Sequence, residues 1–390
     1  MRIAILMTGL DGGGTQRRLT TLASGFLARG HDVEFVVGSP RGTFAALVPR
    51  GASVHPLQAT LHALPGVASR KSLRMLAALP SLAAWLRAGR ADVLLCGSNP
   101  ANVAGLVARE SSGARLPVVA CVNVPLSRST AERSRLLLGR LARRLYPRAD
   151  AIVANCRALA DDAVDFAGVD PSRVRTIPNP VDTGRIAALA AGPAPHAWAA
   201  DPATPLVLAV GKLKPQKDHA TLLRAFRLVR NARPARLLVL GEGEERGALA
   251  RLACSLGIAD DVAMPGFAAN PFAAMAWAGV FVSSSRWEGF SNVVAEALAS
   301  GCPVVATDCP GGVAETLGEG RVGRLVAVGD AGALARAILA TLEQSPDREA
   351  LRSWASRWSP ERAAGAYLDV LAGVAGRGPA GERCRAGVPA

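Results

Sequence analysis

Residues 278–301 read AGVFVSSSRWEGFSNVVAEALASG, and this stretch decides the fold class. The short apolar run 278–282 predicts a buried strand, which the three serines at 283–285 end. Ser291 or Asn292 can cap a helix that follows, and Gly301 is a typical helix stop. A buried strand, a polar turn and a helix in this order predict one unit of a parallel α/β sheet.

Two carboxylates lie eight positions apart around the start of this helix. Glu288 is predicted on the turn at the carboxyl end of the strand, and Glu296 about one turn inside the helix. In an open parallel sheet ligands bind at that edge, and the backbone N–H groups of residues 290–293 favour an anion such as a diphosphate. An acid among anion-binding amides predicts a ligand that is both phosphorylated and hydroxylated, and a nucleotide sugar meets both demands.

The same alternation of short apolar runs and helical patterns extends over both halves of the chain. It predicts an α/β protein with two doubly wound, Rossmann-like parallel sheets. The predicted strands are 3–7, 33–37, 92–95, 117–122, 151–154 and 175–177 in the first half, and 206–210, 236–240, 262–264, 279–282 and 304–306 in the second. The predicted helices are 17–29, 101–109, 157–166, 220–230, 247–256, 292–299, 331–343 and about 361–372.

Length and composition predict two domains, since 390 residues exceed one ordinary core. We expect a first domain at 1–184, an Ala- and Pro-rich linker at 185–205, a second domain at 206–357 and a disordered tail at 376–390. No run of about 20 apolar residues is free of Pro and charge, and the seven cysteines form no metal or disulfide pattern. The first residues are interpreted as a buried strand rather than a signal peptide, so we expect a cytoplasmic protein with reduced thiols.

The segment 284–301 resembles the Glu-x7-Glu signature of the retaining glycosyltransferases of family 4, which have the two-domain GT-B fold. Four further segments resemble motifs of that family and occur in the same order. Residues 12–17 (GGGTQR) are similar to its Gly-Gly-x-x-Arg loop, and 177–182 (IPNPVD) to its interdomain motif. Residues 210–218 (VGKLKPQKD) are similar to its donor loop, and 308–315 (DCPGGVAE) to its last Gly-rich loop.

The resemblance implies a fold and an activity. The fold is GT-B, in which two Rossmann-like domains face each other across a deep cleft and a last helix, about 358–375 here, crosses back onto the first domain. The activity is transfer of a sugar from a nucleotide-sugar, expected to be a UDP-sugar, to a glycan or lipid-linked acceptor in cell-surface polysaccharide or lipopolysaccharide synthesis. Retention of configuration, independence from metal ions and the absence of a cofactor are likewise implied by the family.

The resemblance also assigns roles to single residues. Glu288, Lys217 and Lys212 are expected to be catalytic: the carboxylate positions the sugar and the two lysines stabilise the leaving diphosphate. Residues expected to bind the donor are Gly13, Gly14, Phe290, Ser291, Asn292 and Glu296, the last through the ribose hydroxyls. In the alternative interpretation, the lysines lie in a solvated loop and Glu296 is a surface carboxylate that the helix dipole favours.

Asn123 and Asn179 are candidate acceptor or cleft residues. Many family members have a His near the end of the strand that corresponds to 117–122, and here Asn123 takes that place. An Asn side chain hydrogen-bonds a sugar hydroxyl but is no base near neutral pH. A base is not needed in a front-face retaining mechanism, because the leaving phosphate itself takes the acceptor proton.

Positive charge is concentrated in the first half of the chain. Residues 1–184 contain 23 Lys and Arg against 12 Asp and Glu, whereas the formal net charge of the whole chain is +14. The segments 69–90 and 127–148 combine arginines with leucines, which predicts peripheral contact with an anionic membrane or, alternatively, a solvated helical face. Nucleic acid is not expected as a partner, because aromatic residues make up only 4% and no motif for reading bases occurs.

Rossmann-like scaffolds also carry functions other than sugar transfer. An NAD-binding Rossmann motif is excluded, because Arg17 occupies the position of the third glycine. A sugar-nucleotide epimerase or a phosphorylase on the same scaffold remains an alternative, since a fold does not fix a function. A non-catalytic binding subunit is the third alternative.

Overall fold

The computed structural model describes residues 1–11, 13–43, 45–58, 75–127, 135–193, 195–200 and 204–376. The chain divides into two compact units. The first unit comprises Met1–Pro180 together with the C-terminal segment from Pro360, and the second unit comprises Val181–Ser359.

The first unit contains a seven-stranded sheet in which every pairing is parallel, with the order β3-β2-β1-β4-β5-β6-β7. Its strands are β1 (Arg2–Met7), β2 (Asp32–Val37), β3 (Ser53–Pro56), β4 (Val93–Cys96), β5 (Val118–Val122), β6 (Ala151–Ala154) and β7 (Val174–Thr176). Strands β4, β5 and β6 are buried along their whole length, as expected of a sheet that helices cover on both faces.

Six helices belong to the first unit in the described residues. They are α1 (Gly14–Leu27), α2 (Leu79–Arg87), α3 (Asn99–Ser112), α4 (Arg135–Leu145), α5 (Arg157–Asp165) and, at the end of the chain, α14 (Pro360–Ala375). Helix α14 packs beside α1, and Tyr367, Leu371 and Phe26 lie in one core cluster on that face of the sheet. The C-terminal helix is therefore part of the hydrophobic core of the first unit.

The second unit contains a six-stranded parallel sheet of order β10-β9-β8-β11-β12-β13. Its strands are β8 (Leu206–Val210), β9 (Arg236–Leu240), β10 (Val262–Gly266), β11 (Val280–Ser283), β12 (Val304–Thr307) and β13 (Arg324–Val326). Its helices are α6 (Thr183–Ala190), α7 (His219–Ala232), α8 (Arg246–Ser255), α9 (Phe272–Trp277), α10 (Asn292–Ala299), α11 (Val313–Thr316), α12 (Ala331–Leu342) and α13 (Arg348–Ala355).

The structure confirms the predicted fold class of two doubly wound parallel sheets, and it adds the edge strands β3 and β13. Neither of these two strands has a buried residue. The predicted linker 185–205 is wrong in part, because α6 occupies its beginning. Asp182 caps α6 by accepting from the N–H of Arg185 at 2.9 Å, and Ile186 is buried in the core of the second unit. Of the predicted tail, all but Gly376 lies outside the described residues.

Each sheet reverses its strand order once, and this point places the functional loops. In the first unit the reversal lies between β1 and β4, and in the second between β8 and β11. Loops that leave the carboxyl ends of such a pair diverge to opposite faces, so they open a crevice in which ligands bind. The loop after β8 contains Lys212 and Lys217, and the loop after β11 contains Glu288.

Candidate functional site

The loops after β8 and β11 are joined by direct hydrogen bonds. The backbone N–H of Arg286 donates to the carbonyl of Gln216 at 2.8 Å, and the Gln216 amide donates back to the carbonyl of Trp287 at 2.7 Å. The Ser284 hydroxyl donates to the carbonyl of Lys217 at 2.8 Å. The two loops that carry the predicted catalytic residues are therefore in direct contact.

Lys217 and Glu288 form an ion pair between these loops, from the ammonium group to Oε1 of the carboxylate. The buried Ser285 hydroxyl donates to the same Oε1 at 2.7 Å, and Thr307 donates to the Ser285 carbonyl at 2.5 Å. Both bonds that the structure gives to this carboxylate reach Oε1, so Oε2 is left as an acceptor within the described residues. Glu288 is only 8% exposed, and a buried carboxylate held from two sides is well suited to accept from a sugar hydroxyl.

Lys212 and Lys214 add two further positive charges beside this pair. Lys212 is exposed, and Lys214 is partly buried. Burial, followed by the nearby Lys217 ammonium, lowers the pKa of Lys214, while Glu288 opposes that shift. For neither lysine does the structure give a salt bridge within the described part of the chain. Lys214 was missed as a site residue, since the donor-loop pattern places a variable position there and nothing in the sequence reports its burial.

The residues after the lysines fix the shape of the loop. Asp218 has a φ of +47°, its carboxylate accepts from the N–H of Thr221 at 3.3 Å as the cap of α7, and its other oxygen accepts from Arg286 at 3.1 Å. The next residue, His219, is buried. Burial and the nearby Lys217 charge lower the pKa of His219 to about 4, so the imidazole stays neutral at neutral pH. The positive charge of the site therefore comes from the lysines and Arg286.

The start of α10 faces the ligand edge of the sheet as predicted for an anion site. Ser291 is the N-cap residue, its carbonyl accepts from Val294 and Ala295, and its side chain makes no cap hydrogen bond. The Ser291 hydroxyl is buried and has no partner within the described residues. A donor without a partner, at the positive end of a helix dipole, favours an anionic oxygen as its ligand.

Phe290, Asn292 and Glu296 take different places around this helix start. The Phe290 ring is buried and meets Trp358 edge to face with ring centroids 5.4 Å apart, so the side chain of Phe290 serves the core and only its backbone is suited to a ligand. Asn292 is the first residue of α10, and Glu296 lies one turn further on, partly buried.

The Gly-rich loop after β12 supports the backbone of Glu288. The Glu288 N–H donates to the carbonyl of Pro310 at 3.1 Å, and the Gly312 N–H donates to the carbonyl of Gly289 at 3.0 Å. Gly311 lies between them with a φ of +132°, and a Cβ atom there would come within 2.0 Å of the Glu288 carbonyl oxygen. Only glycine fits this close approach.

The remaining predicted residues belong to the first unit, where they lie at the carboxyl edge of its sheet. Gly13 is the exposed N-cap of α1 and Gly14 its first residue, whereas Gly12 lies outside the described residues. Asn123 follows β5 and is partly exposed, and Asn179 follows β7 and is buried. The Asn123 amide donates to the carbonyl of Gly97 at 3.0 Å and accepts from Arg18 at 2.5 Å. Nothing in the sequence singled out Arg18 as the partner of Asn123.

In the described parts of the two basic segments predicted to meet a membrane, several apolar side chains belong to the core. In the described part of 69–90, Leu82, Trp85 and Leu86 are buried, whereas Leu76 is 47% exposed; in the described part of 127–148, Leu145 is buried. Among the described arginines, Arg87, Arg90 and Arg144 are exposed. An apolar face free to enter a bilayer is thus not seen in these described parts. None of the described helices is both long and apolar enough to cross a membrane.

Within the described residues, no three His, Cys, Asp or Glu side chains lie close enough together to hold one metal ion. The site that the structure does assemble consists of cations, one carboxylate and a helix N-terminus.

Comparison with known families identifies the chain. Residues 12–185 match the family described as glycosyltransferase family 4, and residues 204–344 match the family described as glycosyl transferases group 1. The chain belongs to the family 4 glycosyltransferases. The predicted family is thereby confirmed, and the two matched regions correspond to the two units.

Two curated relatives align with about half of this glycosyltransferase. One is the Campylobacter jejuni N-acetylgalactosamine-N,N'-diacetylbacillosaminyl-diphospho-undecaprenol 4-alpha-N-acetylgalactosaminyltransferase, 32% identical over 54% of this chain and 55% of its own length. The other is the lipopolysaccharide core biosynthesis glycosyltransferase LpsE of Rhizobium meliloti, 32% identical over 57% of this chain and 64% of its own length. The chain therefore spans less than two thirds of the length of either relative.

Solved structures match over almost the whole chain. Anabaena HepE, crystallised in complex with UDP, is 22% identical with a TM-score of 0.75, and the match covers 96% of this chain and 100% of HepE. A glycosyltransferase from Rickettsia africae is 16% identical with a TM-score of 0.76, covering 96% of this chain and 98% of that one. At these identities the likeness establishes the fold, and the predicted GT-B fold is confirmed.

Proposed function

We propose that this family 4 protein transfers a sugar from a nucleotide-sugar, in our expectation a UDP-sugar, to a glycan or lipid-linked acceptor. The observation that carries the proposal is the Lys217–Glu288 pair at the strand-order reversal of the second sheet, with Lys212, Lys214 and Ser291 around it. Such a site offers cations for a diphosphate and a carboxylate for sugar hydroxyls. The family membership and the functions named for the relatives support it.

The chemistry follows from these charges. Breaking the bond between the sugar and the diphosphate places additional negative charge on the leaving phosphate. Lys217, Lys212 and the N-terminus of α10 would stabilise that charge, and fixed cations in a site that excludes much of the water can contribute several kcal/mol. Oε2 of Glu288 would accept from sugar hydroxyls and thereby hold the anomeric carbon in place.

The same arrangement fits a metal-independent, retaining reaction. In this scheme Lys217 moves its hydrogen bonds between Glu288 and the phosphate, and the leaving phosphate takes the proton of the acceptor hydroxyl on the face from which it departs. No side chain has to act as a base, which agrees with an Asn at position 123. Lys212 acts as a point charge and orients the phosphate less strictly than an Arg fork would.

We further propose that the enzyme works on the cytoplasmic side of a membrane in the assembly of cell-surface polysaccharide or lipopolysaccharide. The lipid-linked acceptor in the name of the Campylobacter jejuni relative and the lipopolysaccharide core in that of LpsE support this proposal. The exposed arginines of the first unit would provide electrostatic attraction to anionic lipids.

The donor class is tested by thermal shift with UDP, GDP and NADH, followed by a product assay with a panel of UDP-sugars. We expect UDP to raise the melting temperature and the products to be free UDP and a glycosylated acceptor. Stabilisation by GDP alone would indicate a GDP-sugar donor instead of a UDP-sugar. Stabilisation by NADH alone would overturn the proposal. Release of an epimerised UDP-sugar without transfer would instead identify the epimerase alternative.

A further inference from the structure

Arg18 is a buried cation that, within the described residues, donates hydrogen bonds only to neutral groups. It lies on α1, is only 3% exposed and bonds with its two terminal nitrogens. Nη1 donates to Oδ1 of Asn123 at 2.5 Å and to the Tyr367 hydroxyl at 3.2 Å, and Nη2 donates to the Gly97 carbonyl at 3.1 Å. Within the described residues the structure gives no salt bridge for Arg18.

Burial of such a charge is costly in folding free energy, since neutral partners replace water less well than a carboxylate does. Tyr367 does not act as the counter-charge: burial raises the pKa of its phenol, so the hydroxyl stays protonated. A stabilising role in the core is also served by an apolar side chain of similar volume. The position of Arg18 is thus better explained by its hydrogen bonds, which orient neighbouring groups, than by a contribution to stability.

The partners of Asn123 determine which way its amide is turned. A guanidinium only donates hydrogen bonds, and the Gly97 carbonyl only accepts them. The oxygen of the amide must therefore face Arg18, and its nitrogen must face Gly97, from which it lies 3.0 Å. After these two bonds one N–H of the partly exposed amide is left without a partner in the described residues.

We propose that Arg18 is a positioning residue that holds Asn123 as a hydrogen-bond donor to a hydroxyl oxygen of a sugar substrate bound at the carboxyl edge of the first sheet. The inference rests on the proposed glycosyl transfer and adds the role of this pair to it. The guanidinium withdraws electron density from Oδ1, so the N–H groups of the same amide become stronger donors. Gly97 follows β4 and Asn123 follows β5, so the donor lies at the ligand edge of the first sheet.

The test compares Arg18→Met and Asn123→Asp with the control Arg29→Met. Asp has the shape of Asn and keeps the bond from Arg18, but it lacks the N–H. Arg29 lies beyond the end of the same helix and is exposed, with bonds to the carbonyls of Gly25 and Glu361. We expect kcat or kcat/KM of both test variants to fall about 10- to 100-fold, because a misplaced group in the site lowers the rate by about this much. The control variant should stay within twofold of wild type.

Two substrates can supply the hydroxyl, and the kinetics distinguish them. If it belongs to the donor sugar, hydrolysis of the donor without acceptor falls together with transfer. If it belongs to the acceptor, hydrolysis is retained and the KM for the acceptor rises. Folded test variants with kcat and both KM values within twofold of wild type would overturn the inference.

A second readout does not depend on activity. The ¹⁵N–¹H signals of the Asn123 amide, assigned by their loss in Asn123→Asp, are expected to shift in Arg18→Met and to stay in place in Arg29→Met. Unchanged signals in Arg18→Met would refute the positioning role even if no sugar donor were accepted by the wild type. Inactivity of the wild type with every nucleotide-sugar would count against the proposed function alone.

Discussion

Replacement of Gly311 by Ala should abolish most of the activity although the residue carries no functional group. An added Cβ would lie 2.0 Å from the Glu288 carbonyl oxygen, and contacts under 3.0 Å are essentially never seen, so the two segments must separate by at least the difference. Taken up by the Glu288 backbone, this shift moves the Glu288 carboxylate by about 1 Å, and a misplacement of that size can lower kcat about 100-fold. The left-handed φ of +132° adds strain of about 1–3 kcal/mol.

Gly329 provides the matched control in the same unit. It also has a positive φ, of +80°, but a Cβ there meets nothing within 4 Å, so Gly329→Ala carries the backbone strain without the collision. Sugar transfer and the melting temperature are measured for both variants with the donor that the wild type uses. Equal activity of the two variants would refute the argument that Gly311 sets the position of Glu288.

Three further predictions concern the lysine site. Glu288→Gln should lower kcat about 100-fold or more, and Lys217→Ala should do the same; Lys217→Ala should also lower the melting temperature, because it leaves the buried Glu288 carboxylate without its counter-charge. Wild-type rates in either folded variant would contradict the catalytic role of that residue. Lys214→Met should raise the KM for the donor by about tenfold, because one nearby charge on the diphosphate is lost, and it should leave the KM for the acceptor unchanged; an effect on the acceptor alone would disprove this. His219 has a pKa of about 4 in the folded protein, below its unfolded value, so the unfolded state binds more protons and stability should fall as the pH drops from about 6.5 to about 4, by up to about 3 kcal/mol. In His219→Gln, the free energy of unfolding measured in urea should depend less on pH. An unchanged pH dependence would mean that other groups cause it.

The sequence revealed the central strands and the donor loops, because both leave local patterns. Apolar runs marked β8 and β11, and Ser291 or Asn292 as a capping residue marked the start of α10. Of the four strands at the sheet edges, β7 and β10 were predicted and β3 and β13 were missed; neither β3 nor β13 has a buried residue. Helix α6 was missed because its Ala-rich sequence gives a single buried side chain, Ile186.

The contacts within the site were beyond the reach of pattern reasoning. The Lys217–Glu288 pair joins residues 71 positions apart, and the bond from Arg18 to Tyr367 joins residues 349 positions apart. Neighbouring strands β8 and β11 are separated by two other strands in the chain, so their adjacency follows from the topology alone. The burial of Lys214 and of the Phe290 ring likewise depends on tertiary packing that no local spacing reports.

A crystal structure of the protein with UDP would show directly whether the lysine site holds the diphosphate. We expect oxygens of the diphosphate to lie within hydrogen-bond distance, about 3.2 Å, of the Lys217 ammonium and the Ser291 hydroxyl. UDP bound elsewhere, with the Lys217–Glu288 pair and the Ser291 hydroxyl untouched, would contradict it.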